Sequence, residues 1–333
     1  MVAESFRAMI VEETQDHRFR RRIGEKSLSD LPKGEVLIKV HYSSLNYKDA
    51  LSATGNKGVT RIFPHTPGID AAGTVAQSDN RGFSPGDAVL VTGYDLGMNT
   101  SGGFGQYIRV PADWVVSLPE GLSLQESMIF GTAGFTASLC LHKLVSAGVK
   151  PGDGEILVTG ASGGVGSLAV ALLAHCGYSV TASSGKAAAR DLLTELGAKQ
   201  IIDRADVHDT SSKPLLPQRW AGVVDTVGGL TLSTALRSTN RHGVVTCCGN
   251  VSSAELSLTV YPFILRGVSL MGADSATTGM ASRRSIWQRL AGDWKPPRLE
   301  RLSETIGLDQ LDHAIERILG GKNTGRTVID LNR

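Results

Sequence analysis

The chain has 333 residues, enough for roughly two domains of about 150 residues each with a sizeable core. Its 41% hydrophobic and 20% charged content is ordinary for a soluble globular protein, and 34 basic against 32 acidic residues leave a formal charge of +2, so there is no global field to attract nucleic acid or an anionic membrane. No leader-like apolar core opens the chain, and no run of about 18 apolar residues is visible that would cross a bilayer.

Residues 1–125 read as short strands and turns. The basic run Arg18, Arg20, Arg21 and Arg22 is short and isolated, and reads as a solvated strand edge rather than a nucleic-acid patch. GEVLIKVHYSSLN (34–46) alternates like a half-buried strand, and PGDAVLVTG (85–93) and GGFGQYIRVP (102–111) supply two more. Closely spaced strands with turn signals indicate a β-rich, barrel-like unit. Near residue 123 the pattern changes. SLQESMIFGTAGFTASLCLHKL has helical spacing, EILVTG (155–160) is a short apolar strand, and GVGSLAVALLAHCG (164–177) is a helix. YSVTASS (178–184) is a strand and KAAARDLLTELGA (186–198) a helix ending in a glycine cap. KQIID (199–203), AGVVDTVG (221–228), GVVTCCGN (243–250) and VSLMG (268–272) are further strands, with TLSTALRSTNRHG (231–243) helical between them. This alternation predicts an α/β fold with a doubly wound parallel sheet. The tail from Ile306 reads as a helix and a final strand. The cysteines Cys140, Cys176, Cys247 and Cys248 lack metal-type spacing, and their scarcity suggests a reducing compartment such as the cytoplasm.

VTGASGGVGSLAV carries the strongest chemistry. The strand Ile156–Thr159 enters it and an apolar helix leaves it. Gly163, Gly164 and Gly166 allow a tight turn, close approach of a pyrophosphate and helix–strand packing. The helix start offers N–H groups and a positive dipole end, so Ser162, Gly163, Gly164, Val165 and Gly166 are expected to line the phosphates. Two rival patterns use the same residues. Gly160-Ala161-Ser162-Gly163-Gly164 satisfies the hydrolase nucleophile elbow, with Asp225 and His242 or His313 as nominal partners in no diagnostic context. A short-chain dehydrogenase would need Lys four residues after a Tyr, and none of the six tyrosines has one.

An NAD site places an acid at the end of the second strand. Here that point reads Thr181-Ala182-Ser183-Ser184-Gly185-Lys186, hydroxyls and a cation with no carboxylate. Ser183, Ser184, Gly185 and Lys186 therefore favour a 2′-phosphate and NADPH, with Arg190 and Arg204 at hand. A basic residue in a first helical turn opposes the dipole, which makes a ligand role for Lys186 more attractive.

SSLNYKDALSATG, FPHTPGIDAAGTV, GTAGFTA, DGEILVTGASGGVGS, WAGVVDTVGG and PFILRGVSLMGADS together resemble the zinc-free medium-chain dehydrogenase/reductases, specifically the acrylyl-CoA reductase group long labelled quinone oxidoreductases. The resemblance covers nearly the whole chain. It implies a β-rich GroES-like catalytic domain from residues 1–127 and 271–333 and a Rossmann NADP-binding domain at 128–270. It also implies NADPH-dependent reduction of an acrylyl-CoA-like enoyl thioester, and a homodimer. Where zinc-dependent relatives carry ligands, this chain has Asn46, Ile69 and the stretch Gly131-Thr132-Ala133, and the four-cysteine lobe is missing, so no metal is expected. Asn46 and Tyr47, where the resemblance would place a zinc ligand, are the candidates for polarisation or cofactor positioning; the proton donor is Tyr47 or solvent, and Asp49 is structural. Thr226, Gly249 and Asn250, at strand ends, are expected at the cofactor; Ile264 and Ser275 resemble positions near its nicotinamide half, and Asn323 is expected to close the site. Arg61, Arg283, Arg284 and Lys322 are available cations for CoA phosphates. An NADPH:quinone reductase of the same fold is the close alternative, and a non-catalytic NADPH-binding protein is the alternative of another class.

Overall fold

The computed structural model describes residues 4–333. Strands β1 (Ser5–Glu13) and β2 (Phe19–Ser27) form an antiparallel hairpin. Strand β3 (Val36–Ser44) leads to helix α1 (Tyr47–Ala53), then β4 (Asp70–Ser78), β5 (Ala88–Thr92), β6 (Tyr107–Val110) and β7 (Val116–Ser117). Helix α2 (Leu124–Ser146) follows, broken at Gly131. Next come β8 (Glu155–Val158), α3 (Gly164–His175), β9 (Ser179–Ser183), α4 (Arg190–Glu195) and β10 (Gln200–Ile202). They are followed by β11 (Trp220–Asp225), α5 (Gly229–Ser238), β12 (Thr239–Cys247), α6 (Tyr261–Arg266) and β13 (Ser269–Gly272). The tail holds α7 (Met280–Ala291), β14 (Ser303–Gly307), α8 (Leu311–Leu319) and β15 (Arg326–Asp330).

The chain forms two compact units. The first takes the described residues up to Thr132 with Ala276–Ala291 and Leu299–Arg333; the second takes Ala133–Ser275 and Gly292–Arg298. In the first, one sheet runs β14-β15-β3-β4-β5-β7, and β6 also pairs with β3. Its core gathers Val36, Ile38 and Val40 with Val89, Val91, Phe104, Ile108 and Ile329. β3 departs from the expected alternation: Val36, Leu37 and Ile38 are all buried. Flanked by β4, β6 and β15, it is interior, and an interior strand is covered on both faces. The arginine run lies on β2, where the Arg21 guanidinium pairs with Asp312 and Glu316 of α8.

The second unit is a six-stranded sheet ordered β10-β9-β8-β11-β12-β13, parallel throughout. The order reverses between β8 and β11, and ligands of such sheets bind outside the strand ends at that reversal. Two boundaries move. The helix expected at 186–198 begins only at Arg190, after a 3-10 turn at Ala187–Ala189. Lys186 therefore precedes a short turn, and the helix-dipole argument for it falls away. The helix expected to reach residue 243 stops at Ser238, because pairing with β11 draws Thr239 onward into β12. One membrane expectation also needs correcting. Helix α2 is long and apolar enough to cross a bilayer, with mean hydropathy 1.3, although 78% of that apolar window is buried within the fold. Its Phe130, Phe135, Cys140 and Leu144 are core residues, and Gly131, with φ 50 and ψ −155, interrupts it.

Candidate functional site

In the second unit, β8 runs through Thr159 and Gly160 into α3. Gly160 has φ +59, and a Cβ there would lie 2.4 Å from Thr226 Oγ1. At Gly166 a Cβ would lie 2.3 Å from the Gly160 carbonyl oxygen and 2.7 Å from Ala161 Cα. The helix can seat against its own entering turn only because that side chain is missing. Gly163, the residue preceding α3, is roomier, with Gly160 O at 3.3 Å. The first N–H groups of such a helix have no intrahelical acceptor and sit at the positive dipole end. No acidic side chain occupies the first turn of α3 to compete for them. These residues fit a dinucleotide phosphate.

Hydrogen bonds lock the turn in place. Ala161 N–H donates to Ser183 O at 3.0 Å, and the Ser184 and Ser162 hydroxyls meet at 3.1 Å. Thr159 Oγ1 donates to the Asp225 carboxylate at 2.7 Å, and the N–H of Gly228 donates to its other oxygen at 2.8 Å. Burial raises the Asp225 pKa against these bonds. With both oxygens engaged structurally, Asp225 is committed away from any hydrolase role with Ser162, whose observed partner is Ser184.

At the end of β9, Ser183 is buried, Ser184 N–H reaches Ile202 O at 3.1 Å, and Lys186 N–H donates to Ser184 Oγ at 3.2 Å. The Arg204 side chain crosses Gly185, so a Cβ there would lie 3.1 Å from Arg204 Cδ. Ser162, Ser183, Ser184, Gly185, Lys186 and Arg204 are thus brought together. Partial burial lowers the Lys186 pKa. Thr226, Gly249 and Asn250 also assemble: a Gly249 Cβ would lie 2.2 Å from Thr226 O, and a Gly228 Cβ 3.2 Å from Asn250 Cα. Ile264 stands 67% exposed on α6, and Ser275 follows β13. Asn323 belongs to the first unit, where its carboxamide donates to Thr327 Oγ1 at 3.2 Å.

In the first unit, Asn46 and Tyr47 start α1. Asn46 is buried at 9% exposure, whereas Tyr47 is 53% exposed. The Asn46 side chain is committed at both ends. Nδ2 donates to Asp70 Oδ2 at 2.8 Å and to Asp49 Oδ2 at 3.2 Å, while Oδ1 accepts from Arg326 at 3.2 Å. Asp49 accepts the backbone N–H groups of Asn46 and Ile69, both at 2.8 Å. Asp70 accepts from Ser44 Oγ at 2.6 Å and from the hydroxyl and backbone N–H of Thr132 at 2.6 and 2.9 Å. The kink at Gly131 permits this last contact, because a Cβ there would lie 2.5 Å from Asp70 Oδ2. Arg326 completes the cluster through Ser44 Oγ at 2.9 Å, Leu45 O at 3.2 Å and Ile129 O at 3.1 Å. Sequence reasoning missed Arg326, whose local context is an ordinary strand. It also left Arg283 as a cation for CoA. That residue is fully buried, donates to Thr92 O at 2.8 Å and lies over Tyr94 at 4.6 Å, so it cannot present its charge to a ligand. Arg61, Arg284 and Lys322 are exposed.

Burial, then the neighbouring Asp70, pushes the Asp49 pKa up to about 7 against the N–H bonds that hold it down. The native chain therefore keeps a proton that the unfolded chain releases near pH 4. Between those values the native state binds more protons, so this group's stability contribution falls as pH rises and levels off above about 7. Unfolding free energies of wild type and Asp49→Asn measured across that range should differ by an amount that changes with pH, on the order of 3 kcal/mol. A constant difference would refute the assignment.

The residues at the zinc positions of related enzymes do not fit a metal. The Asn46 amide is spent within the cluster and Ile69 has no donor atom. Among the described residues no group of three or more His, Cys, Asp or Glu gathers.

The family model for an alcohol dehydrogenase GroES-like domain matches residues 32–120, and that for a zinc-binding dehydrogenase matches residues 164–291. Acrylyl-CoA reductase AcuI of Ruegeria pomeroyi is 43% identical over 328 residues, spanning 98% of this chain and 99% of the relative. The chain belongs to the medium-chain dehydrogenase/reductases, in the group whose members are named acrylyl-CoA reductase or quinone oxidoreductase. Another member of this group, YhfP of Bacillus subtilis, is named as a quinone oxidoreductase and is 45% identical over 92% of this chain and 93% of its own length. Its crystal structure with NAD bound matches at TM-score 0.96 and 43% identity, covering 99% and 100% of the two chains. The yhdH oxidoreductase of Salmonella enterica, solved in complex with NADP, matches at TM-score 0.94 and 44% identity, covering 98% and 99%. Medium-chain dehydrogenase/reductases pair a GroES-like unit with a Rossmann unit, and the two sheets described above are these.

Proposed function

We propose that the protein reduces the C=C bond of an α,β-unsaturated acyl-CoA, acrylyl-CoA foremost, to the saturated thioester with NADPH and without zinc. The observation that carries this reading is the pairing of a dinucleotide cradle, built on Gly166 and α3, with a zinc-ligand position occupied by a committed carboxamide at Asn46. The similarity to AcuI supplies the substrate class. Bound NADPH supplies the hydride. Ser162, Gly163, Gly164, Val165 and Gly166 hold its pyrophosphate, and Thr226, Gly249, Asn250, Ile264, Ser275 and Asn323 contact the remainder. Negative charge develops on the thioester oxygen, where a preorganised donor is most effective. Tyr47, exposed at the start of α1, is that donor. Its neighbour Asn46 acts from within the buried cluster.

Ser183, Ser184, Gly185, Lys186 and Arg204 receive the 2′-phosphate. Lys186→Ala should raise KM for NADPH roughly 10-fold, the worth of one charge-assisted contact, while barely altering NADH use. An equal change for both cofactors would defeat the assignment. The reading includes a homodimer. β13 is an open sheet edge with Leu270 exposed, and exposed strand edges invite pairing with another chain. Its compartment is the reducing cytoplasm, in keeping with four free cysteines.

The deciding experiment follows NADPH consumption with acrylyl-CoA, crotonyl-CoA and a benzoquinone in parallel. Preference for acrylyl-CoA supports the reading. Turnover of the quinone alone moves the assignment to the quinone reductase, and silence with all three favours a non-catalytic NADPH-binding protein.

A further inference from the structure

We propose that Asn46 is a positioning residue, whose carboxamide joins two buried carboxylates to one buried guanidinium and thereby fixes the first turn of α1 and the Tyr47 it presents. This rests on the reading that Tyr47 serves enoyl-thioester reduction. The cluster holds Asp49 and Asp70, both fully buried, and one cation, Arg326, whose NH2 lies 3.9 Å from Asp70 Oδ2. Two acids beside one base in a poorly solvated space are costly, whether or not Asp49 holds its proton, unless a neutral donor stands between them. Asn46 is that donor. Its Nδ2 reaches both acids, and its Oδ1 meets Arg326.

Few side chains of this reach carry a donor at one branch and an acceptor at the other. Aspartate at this position would add a third carboxylate and lose the donor. Cysteine, which zinc-dependent relatives carry here, would offer only a weak donor. The same residue's backbone N–H donates to Asp49 Oδ2 at 2.8 Å, the N3 carboxylate of the helix that starts one residue later. Main chain and side chain of Asn46 are thus tied to the same acid. Tyr47 is more than half exposed, so its placement depends on this anchored backbone rather than on packing of its ring.

The test is a double-mutant cycle on Asn46→Ser and Tyr47→Phe, reading kcat with an enoyl-CoA, KM for NADPH and the thermal midpoint. Asn46→Ser should lower kcat about 10- to 100-fold, the scale of a small misplacement of a reacting group, with KM for NADPH within about twofold. In the Tyr47→Phe background the same substitution should cause little further loss. Additive losses, or full kcat in Asn46→Ser, would overturn the proposal while leaving the reductase reading intact. A second readout is independent of turnover. With 3-fluorotyrosine at position 47, the wild-type protein should give one narrow fluorine resonance, and Asn46→Ser or Asn46→Gln should shift, split or broaden it. An unchanged line in both variants also overturns the proposal. If the wild-type protein turns over no enoyl thioester, the reductase reading fails and the fluorine line alone decides the positioning role.

Discussion

Gly166→Val is expected to abolish detectable NADPH binding, with Kd weakened on the order of 100-fold or more. The reason lies within the chain before any ligand arrives. A Cβ at this position would sit 2.3 Å from Gly160 O and 2.7 Å from Ala161 Cα, both backbone atoms of the turn itself. Neither can move as a flexible side chain could, so α3 must lift away from β8. Overpacking of this kind commonly costs about 1–3 kcal/mol in stability, and the displacement moves the N–H groups proposed to hold the phosphates. Gly163→Ala is the contrasting control. Its backbone is extended, with φ −79, and its nearest neighbour would be Gly160 O at 3.3 Å. That variant should keep its thermal midpoint, and any loss of binding would come from the ligand side. Titration of both variants with NADPH, alongside thermal unfolding, checks the pair. Wild-type affinity in Gly166→Val would eliminate the assigned cradle.

Asp70→Ala should be the most destabilising substitution in the first unit, by about 3–5 kcal/mol, the cost of leaving a buried ion-pair partner uncompensated. Asp70 accepts from Ser44, Asn46 and Thr132 and faces Arg326, whose side chain is 3% exposed. Burial already lowers the Arg326 pKa, with Asp70 and then Asp49 acting against that trend. Removing Asp70 takes away the larger of these supports. Adding Arg326→Met to Asp70→Ala should recover part of the loss, because the stranded charge is then gone. Denaturant midpoints of the two single variants and the double variant measure the coupling. Strict additivity would show that the carboxylate and guanidinium act independently.

The dinucleotide cradle was largely legible in the sequence because its signals are local. The glycines of VTGASGGVGS follow an apolar strand and open an apolar helix, and the residues ending the next strand, Ser183 to Lys186, fall at a set distance along the chain. The Lys186 turn was less legible. The stretch AAAR has high helix propensity, yet the α-helix waits until Arg190. Propensity is a weak prior, and tertiary context overrides it.

The first-unit cluster was not legible in the same way. Asn46 was noticed through the metal-ligand pattern from which the chain departs, and Asp70 and Arg326 were not noticed at all. Arg326 is 280 residues from Asn46 along the chain, yet they meet at 3.2 Å. Arg283 shows the same limit from the other side. As a letter in the sequence it is a surface cation; in the fold it is buried beneath Tyr94.

By itself, then, the sequence determined the class of fold and the place where a dinucleotide's phosphates are proposed to sit, and its resemblance to known segments along nearly the whole chain pointed to the family. The first two depend on periodicity or on short spacings that a single helix or turn enforces. The tertiary structure decided which polar residues are spent inside the protein and which are left for chemistry. That distinction depends on burial and on partners brought from distant strands, and it is why Asn46 turned from a candidate polarising group into an internal tie while its neighbour Tyr47 stayed exposed.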